Sequence, residues 1–311
     1  MGLDPQTKLV LDQLAATGMP PLETLPLEQV RMAQSLPQVG EPEAVGKVVN
    51  HTISGPGGEI PVRIYYPKES KTSYPGLVFF HGGGWVLGNL DSHDGVCRSL
   101  TNHANCVTIS VDYRLAPENK FPAAVEDAYT AAQYVYEHPD EFLVDRSRIA
   151  VGGDSAGGNL AAVVAHLAKE KGTPEICYQL LIYPSTGAGV TPTPVSRVEN
   201  AEGYFLTAGM MDWFIDCYLN SEEEKQNPQV TPIFYEDLTG LPPAMVLTAE
   251  FDPLRDEGEA YAKRLEEAGV EVENFRYDGT IHGFVSMFTV IDKGKEALER
   301  AGKGLANAFN K

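Results

Sequence analysis

The chain has 311 residues, of which 43% are hydrophobic and 22% are charged, so it can bury a sizeable core. This composition excludes a disordered chain, a collagen-like repeat and a disulfide scaffold. The 24 Lys and Arg residues are outnumbered by 43 Asp and Glu residues, and the formal net charge is −19. Nucleic acids and anionic membrane surfaces both attract a basic face, so neither is expected as a partner.

The sequence is not expected to encode a zinc site, a secretory signal or a membrane-spanning helix. The four cysteines form no C-x-x-C pair and no H-E-x-x-H occurs, so a zinc site is not expected. The N-terminal MGLDPQTK has no apolar stretch behind it, unlike a secretory signal, and the uncharged stretch 176–196 is interrupted by three prolines. These features together predict a cytoplasmic protein without membrane insertion.

Strands and helices alternate along the chain after a Pro- and Leu-rich N-terminal segment of about 45 residues. Apolar residues recur at helical spacing between the later strands, as at Leu160, Val163 and Leu167. Such alternation predicts βαβ units and a mostly parallel sheet flanked by helices, in a single α/β domain over residues 1–311. The predicted strands are 47–53, 59–66, 76–80, 106–111, 148–152, 178–183, 244–248 and 270–277, and the predicted helices are 123–137, 156–170, 255–267 and 293–309.

The alternation is interrupted after the strand predicted at 178–183. Residues 184–228 hold Pro and Gly breakers and then a helical run over 207–219 that contains Met, Trp and Phe. Insertions after the strands of a parallel sheet lie where ligands bind. The segment is therefore either an ordinary excursion packed on the core or, together with the N-terminal segment, a cap over a pocket.

The strongest local motif is Gly153-Asp-Ser-Ala-Gly157, which lies between a short apolar strand and a helix. A G-x-S-x-G motif in this context is typical of a nucleophile elbow, although a Gly-rich turn with a helix-capping serine is the alternative. The turn is so tight that the serine takes a strained backbone, and the flanking glycines remove Cβ atoms that would collide. Ser155 is therefore the predicted nucleophile, and the N–H of Ala156 opens the following helix beside it.

Three glycines follow another apolar strand in His81-Gly-Gly-Gly-Trp85. Glycine lets backbone N–H groups face a ligand, and loops of this HGGG type supply oxyanion-hole donors in lipases and esterases. The pattern predicts that the N–H groups of Gly83 and Gly84 join that of Ala156. We expect a structural role for His81, and Trp85 lies either beside the acyl group or in the core.

In architectures with a G-x-S-x-G nucleophile elbow, the acid and the base follow the serine in the chain order Ser, acid, His. Only His166 and His282 come after the serine. His166 lies about 16 Å further along the same helix, which is too far for a hydrogen bond. His282, in a loop after the last strand, is therefore the predicted base. The strand at 244–248 is followed by three candidates for the orienting acid, which spacing leaves open: Glu250, Asp252 and Asp256.

These candidates belong to five short motifs that occur in one order over about residues 75–290. They are His81-Gly-Gly-Gly-Trp85, Asp112-Tyr-Arg-Leu-Ala-Pro-Glu118, Gly153-Asp-Ser-Ala-Gly157, Asp252-Pro-Leu-Arg-Asp256 and His282-Gly-Phe284. In these motifs the chain resembles the hormone-sensitive-lipase-like esterases of the α/β-hydrolase fold, and its GDSAG form is similar to the bacterial-type members. The resemblance implies that Asp252 is the triad acid and that Arg114 and Glu118 are structural. It also implies a helical cap built from residues 1–45 and about 186–227.

The resemblance implies a serine carboxylesterase that forms an acyl-enzyme on Ser155 and needs neither a metal nor an organic cofactor. An enclosed apolar pocket under a cap favours short- to medium-chain esters as the small-molecule partner. Amide or peptide hydrolysis by the same triad and ligand binding without catalysis are the alternatives, and a homodimer is a candidate assembly. The predicted pocket walls are Trp85, Phe205, Leu206, Met210, Ile281 and Val285.

Overall fold

A mixed eight-stranded sheet forms the centre of the computed structural model, which describes residues 2–34 and 41–311. The order of the strands across the sheet is β1-β2-β4-β3-β5-β6-β7-β8. Strand β2 runs antiparallel to its neighbours β1 and β4, and the other neighbouring pairs are parallel. The strands are β1 (Lys47–Gly55), β2 (Gly58–Tyr66), β3 (Tyr74–Phe80), β4 (Val107–Val111), β5 (Val144–Asp154), β6 (Tyr178–Ile182), β7 (Ala244–Phe251) and β8 (Val272–Ile281).

Helices cover both faces of this sheet. In chain order the described helices are α1 (Pro5–Ala16), α2 (Leu27–Gln34), α3 (Asp94–Ala104), α4 (Ala123–Glu137), α5 (Pro139–Phe142), α6 (Ala156–Lys171), α7 (Val195–Glu199), α8 (Ala208–Tyr218), α9 (Arg255–Glu267) and α10 (Asp292–Phe309). Helices α4, α6 and α9 bury apolar side chains in the core on one face, and α3 and α10 do so on the other. Over residues 2–34 and 41–311, no helix combines the length and the apolar composition needed to cross a bilayer.

The central strands are apolar on both sides because both sides are covered. Along β3, Val78 and Phe80 belong to the core of one face, whereas Leu77 and Phe79 belong to the core of the other. All four side chains are fully buried. A continuous apolar run of this kind is typical of a strand in the middle of a parallel sheet, and it aligns the carboxyl ends of neighbouring strands at one edge.

The predicted α/β fold with a mostly parallel sheet is confirmed, and each predicted strand and helix is present. The main omission is α3, which the sequence pattern did not indicate. Its sequence, DGVCRSLTNHA, is rich in residues with weak helix propensity. The helix is stabilised instead by burial, since Val96, Cys97 and Leu100 pack into the same core as α10.

Two segments are predicted to form a cap, and the helices of the N-terminal one lie in two different places. Helix α1 lies beside β8 and α10, where the N–H of Asp4 donates to Gly279 O at 2.9 Å. Helix α2 lies near the loop after β3, where Arg31 Nε donates to Val86 O at 3.0 Å. The insertion after β6 carries α7 and α8. Residues 35–40 of the predicted cap lie outside the described residues.

Candidate active site

Ser155 stands at the turn between β5 and α6, at the carboxyl edge of the sheet. Its backbone has φ 56° and ψ −119°, a conformation that residues other than glycine rarely adopt. Its N–H donates to Ile182 O at 2.8 Å, and its carbonyl accepts from Asn159 N at 3.0 Å and Ser185 N at 3.2 Å. These bonds hold the strained turn, which presents the Ser155 hydroxyl above the sheet edge.

The glycines on either side of Ser155 are required by close packing. A Cβ at Gly157 would collide with the carbonyl oxygen of Phe80, at the end of β3. A Cβ at Gly153 would collide with the carbonyl of Gly157. Helix α6 therefore begins in direct contact with the end of β3, and this contact explains the G-x-S-x-G spacing.

His282 joins Ser155 to Asp252 by two hydrogen bonds. Its Nδ1 lies 2.7 Å from Asp252 Oδ2, and its Nε2 lies 2.9 Å from Ser155 Oγ. An ionised carboxylate can only accept, so Nδ1 carries the proton and Nε2 accepts from the serine hydroxyl. Asp252 is fully buried and His282 is 6% exposed, which keeps water from competing for these bonds.

The structure distinguishes the three acids that spacing left open. Asp252 Oδ1 accepts from Leu254 N at 2.8 Å, so both of its oxygens are held, one by the backbone and one by His282. Glu250 accepts instead from a backbone N–H at the end of β8. Asp256 accepts from a backbone N–H of α7. Asp252 is thus the acid whose side chain meets His282.

The oxyanion-hole candidates lie together beside Ser155. Gly83 and Gly84 have φ values of 119° and 61°, which are accessible to glycine but strained for other residues. Both glycines and Ala156 line the same cavity as Ser155. Ala156 is the first residue of α6, so its N–H has no acceptor within the helix. Among residues 2–34 and 41–311, the N–H groups of Gly83 and Gly84 likewise have no backbone acceptor.

Asp154, next to the candidate nucleophile, connects the turn between β5 and α6 to residues 81–85 after β3, which we call the oxyanion loop. Its Oδ1 accepts from Gly82 N at 2.9 Å and lies 3.0 Å from His93 Nε2. Burial opposes ionisation of this carboxyl, but the charge and hydrogen bond of His93, with the Gly82 N–H, lower its pKa. His81 stacks on Tyr113 with ring centroids 4.4 Å apart, and burial lowers its pKa to about 4. These contacts fit the expected structural role of His81.

His166 is buried away from this site, in agreement with the helix geometry. Its Nε2 lies 3.2 Å from the Tyr261 hydroxyl, and its ring stacks on Tyr235 at 3.6 Å. Burial lowers the pKa of His166 to about 3, so the ring is neutral at physiological pH. Within the described part of the chain, no group of three His, Cys, Asp or Glu side chains is arranged to hold a metal ion.

A largely apolar cavity of about 300 Å³ opens in front of Ser155 and His282. Four of the predicted walls line it, namely Trp85, Phe205, Leu206 and Met210. Sequence reasoning missed several other walls, although Met211, Phe214 and Ile215 recur at helical spacing along α8 with Met210. The further side chains that line the cavity include Leu22, Arg197, Met211, Phe214, Ile215, Leu254 and Met287.

The structure does not bring the other two predicted walls, Ile281 and Val285, to this cavity. Their exposed fractions are 0% and 1%, and neither borders the cavity. The chain after β8 forms a helical turn in which the N–H groups of residues 286 and 287 donate to Gly283 O at 3.0 and 3.2 Å. Residues 282, 283, 286 and 287 therefore share the face toward the cavity, and Ile281 and Val285 face the core.

Known proteins match the chain over most of its length. A family model for the α/β hydrolase fold matches residues 77–286. The carboxylic ester hydrolase LipN of Mycobacterium tuberculosis is 43% identical over 296 residues, which cover 92% of this chain and 78% of that protein. The carboxylesterase NlhH of the same organism is 40% identical over 309 residues, which cover 98% of this chain and 94% of that protein.

A solved structure of an ester hydrolase is also similar to this chain. An ester hydrolase from the metagenome of Lake Arreo, complexed with a derivative of bipyridine phosphonate, has a TM-score of 0.95 and 42% identity, covering 99% of this chain and 100% of that one. The family model spans more than half of the chain and includes the GDSAG and HGGGW motifs. The chain therefore belongs to the hormone-sensitive-lipase-like esterases of the α/β-hydrolase fold.

Proposed function

We propose that this enzyme is a serine carboxylesterase that hydrolyses short- to medium-chain carboxylic esters through an acyl-enzyme on Ser155. The class is confirmed by relatives named carboxylic ester hydrolase and carboxylesterase. The covalent step, the residues that perform it and the acyl length are our proposal. The observation that carries it is the hydrogen-bonded chain from Ser155 through His282 to Asp252, at the floor of an apolar cavity.

In the first step, Ser155 Oγ attacks the ester carbonyl carbon while His282 Nε2 takes the hydroxyl proton. The carbonyl electrons move to oxygen, and the N–H groups of Gly83, Gly84 and Ala156 donate to the oxyanion. Asp252 holds His282 in the required tautomer and stabilises the imidazolium. This division of work follows from the bond lengths, since the imidazole already contacts both partners.

In the second step, the tetrahedral intermediate collapses and the C–O bond to the alcohol breaks. His282 gives its proton to the leaving alkoxide, which departs as the alcohol and leaves the acyl group on Ser155. Water then attacks the acyl carbon, His282 takes a water proton, and the same proton returns to Ser155 Oγ as the carboxylic acid leaves. His282 Nε2 therefore accepts and returns the proton in both acylation and deacylation.

The size and lining of the cavity support the proposed acyl length. A volume of about 300 Å³ is at the lower end for small-molecule sites. Its walls are mainly Met, Phe and Leu side chains, and α8 supplies many of them. We infer that the insertion over about 186–227 and the N-terminal residues 1–45 form a cap over one α/β domain.

Replacing Ser155 by Ala tests the proposed nucleophile. The Ser155→Ala variant should lose at least ~10³-fold in kcat/KM on p-nitrophenyl butyrate, with an unchanged circular dichroism spectrum. An organophosphonate that carries a leaving group should phosphonylate Ser155 Oγ as that group departs with the hydroxyl proton, so the wild type gains the mass of the phosphonyl group less one hydrogen. The variant should gain none. Ser147→Ala, at an exposed serine on β5, is the matched control. Turnover of Ser155→Ala near the wild-type rate would refute the proposal.

An amide isostere of the same substrate separates the ester and amide alternatives. Wild-type enzyme should hydrolyse the ester much faster, since the apolar cavity offers few partners for an amide N–H. Faster hydrolysis of the amide would assign the triad to an amidase instead.

We also infer a cytoplasmic location and retain the homodimer as a candidate assembly. The four thiols are free, as in proteins of a reducing compartment: Cys97, Cys106, Cys177 and Cys217. Sedimentation of the purified chain at several concentrations tests the dimer, because a monomer at all of them would contradict it.

A further inference from the structure

We propose that Tyr218 is a positioning residue that fixes the oxyanion hole by stacking on Trp85. The inference rests on the proposed function, because it concerns where the oxyanion donors point. Tyr218 ends α8 in the insertion, whereas Trp85 directly follows Gly84 in the loop after β3. A residue of the inferred cap would then control a step performed at the edge of the sheet.

The stack between the two rings is close and parallel. The ring centroids of Trp85 and Tyr218 are 4.4 Å apart, and the ring planes differ by 1°. Tyr218 is fully buried and does not border the cavity, whereas Trp85 does. Tyr218 therefore contacts the oxyanion loop from behind, and its effects on catalysis must pass through Trp85.

The backbone at this point needs external support. Gly83, Gly84 and Trp85 are three successive residues with positive φ, at 119°, 61° and 60°. Glycine takes such values freely, but a tryptophan does so only when its surroundings hold it there. The Trp85 carbonyl accepts from Ala116 N at 2.9 Å, which leaves the side chain to be fixed by packing.

Tyr218 is itself firmly anchored, so it can hold Trp85. Its carbonyl accepts from Phe121 N at 2.8 Å, and the Phe121 ring lies edge-on to the Tyr218 ring at 5.9 Å. Asn220 Nδ2 donates to Phe121 O at 2.8 Å. Among the described residues the Tyr218 hydroxyl has no hydrogen-bond partner. The ring, and not the hydroxyl, therefore provides the contact.

Helix α2 holds the same loop from a second direction. Arg31 Nε donates to Val86 O at 3.0 Å, and Arg31 Nη2 donates to Ala116 O at 2.8 Å. Arg31 also forms a bidentate pair with Glu118. Val86 directly follows Trp85, and the N–H of Ala116 donates to the Trp85 carbonyl. Arg31 therefore supports the loop independently of Tyr218.

Loss of the stack should affect the transition state more than the bound substrate. The oxyanion exists only after Ser155 attacks, so misplaced donors lower kcat and change KM little. The hydrogen bonds of the triad do not involve the loop after β3 and should remain. A lower kcat with little change in KM therefore distinguishes a positioning role from general damage to the fold.

Tyr218→Leu and Tyr218→Phe test the role of the ring. We expect Tyr218→Leu to lower kcat on p-nitrophenyl butyrate at least ~10-fold, and Tyr218→Phe to stay within about twofold of wild type. A trifluoromethyl ketone adds to Ser155 and forms an oxyanion, so its Ki should rise by about the same factor as kcat falls. The Ki of the corresponding alcohol, which forms no oxyanion, should not change.

Tyr218→Met provides a second variant at the same position in case Tyr218→Leu unfolds, because the flexible Met side chain adapts to the space that the ring leaves. Arg31→Met tests the second support of the same loop. It should show the same pattern with a loss in kcat of about threefold, whereas Glu118→Gln keeps both backbone contacts of Arg31 and should not show it. The inference is overturned if folded Tyr218→Leu, or folded Tyr218→Met where the former is unfolded, retains the wild-type kcat and ketone affinity. A wild type that hydrolyses no ester would instead refute the proposed function.

Discussion

The two sides of the cavity are built in different ways. On the sheet side, Ser155, His282 and Asp252 follow the ends of three strands and are joined by hydrogen bonds of 2.9 and 2.7 Å. On the opposite side, the walls are mostly apolar side chains from α8 and from the N-terminal segment, including Leu22 and Phe214. Directional bonds fix the first side, whereas packing volume fixes the second.

This difference separates chemistry from selectivity. A hydrogen bond fails when an atom moves by an ångström, so substitutions on the sheet side should reduce turnover for every ester. An apolar wall tolerates changes of volume, so substitutions there should alter which ester fits best. The oxyanion loop lies between the two sides, so substitutions in it should change both the turnover and the preferred ester.

The largest effect is expected at Asp252, the proposed triad acid on the sheet side. Asp252→Asn keeps the size of the side chain but favours the wrong tautomer of His282, so kcat should fall about 10³–10⁴-fold. The matched control is Asp256→Asn, four residues later, which leaves His282 untouched and should stay within about twofold. Equal activities of the two variants on p-nitrophenyl butyrate would contradict the assignment of the acid.

Gly84→Ala should have the next largest effect, because it acts where the two sides meet. A Cβ at Gly84 would collide with the Phe214 ring of α8, and φ is 61°. We expect kcat to fall about 10–100-fold as the donor moves away from the oxyanion. Gly240→Ala is the control for backbone strain alone, since its φ is 69° and a Cβ there meets nothing within 4 Å. If both variants lose activity equally, the collision is not the cause.

A buried acid behind the cavity should make stability depend on pH. Glu257 Oε1 accepts from Thr186 N at 2.8 Å and Gly187 N at 3.0 Å, on the loop after β6. Burial raises the pKa of Glu257 to about 7, against these N–H groups and the charge of Arg197, while the charge of Asp252 adds to the rise. Glu257 therefore favours the folded state when it is protonated, and this contribution is lost as pH rises.

Glu257→Gln measures this contribution, since the amide oxygen can still accept both N–H groups. The free energy of unfolding of the wild type, relative to this variant, should fall by about 3 kcal/mol at most between about pH 4.5 and pH 8. Urea unfolding of both proteins at about pH 5 and pH 8 gives the difference. Parallel stability curves for the two proteins would show that Glu257 does not titrate in this range.

The same contrast explains what the sequence could predict. Ser155 sits in a motif whose spacing follows from a tight turn, and Gly83 and Gly84 sit in a glycine run of the type that supplies oxyanion-hole donors in lipases and esterases. Contiguous residues therefore indicated all three. Spacing alone left the acid open, because Glu250, Asp252 and Asp256 lie at or after the end of β7 and their distances to His282 depend on the fold. The resemblance to the family then favoured Asp252. In the structure, Asp252 is the one of these three acids whose carboxylate contacts His282, in the turn after β8.

The walls were harder to predict because they depend on distant segments. Ile281 and Val285 are close to His282 in sequence, but the turn after β8 directs them into the core. The contact of Tyr218 with Trp85 joins residues 133 positions apart, and no local pattern indicates it. Helical spacing along α8 could have indicated Phe214, once α8 was known to face the cavity.

The smallest effect is expected from Met210→Ala, on the wall side. Met210 lines the cavity and is only half-buried, so its removal enlarges the space for the acyl chain at little cost in stability. The ratio of kcat/KM for p-nitrophenyl octanoate to that for the butyrate should rise about tenfold, while kcat on the butyrate changes little. Met32→Ala is the control, because Met32 is 74% exposed on α2 and does not border the cavity. An equal loss on both esters would mean that Met210 supports the reacting groups, and the division between the two sides would fail.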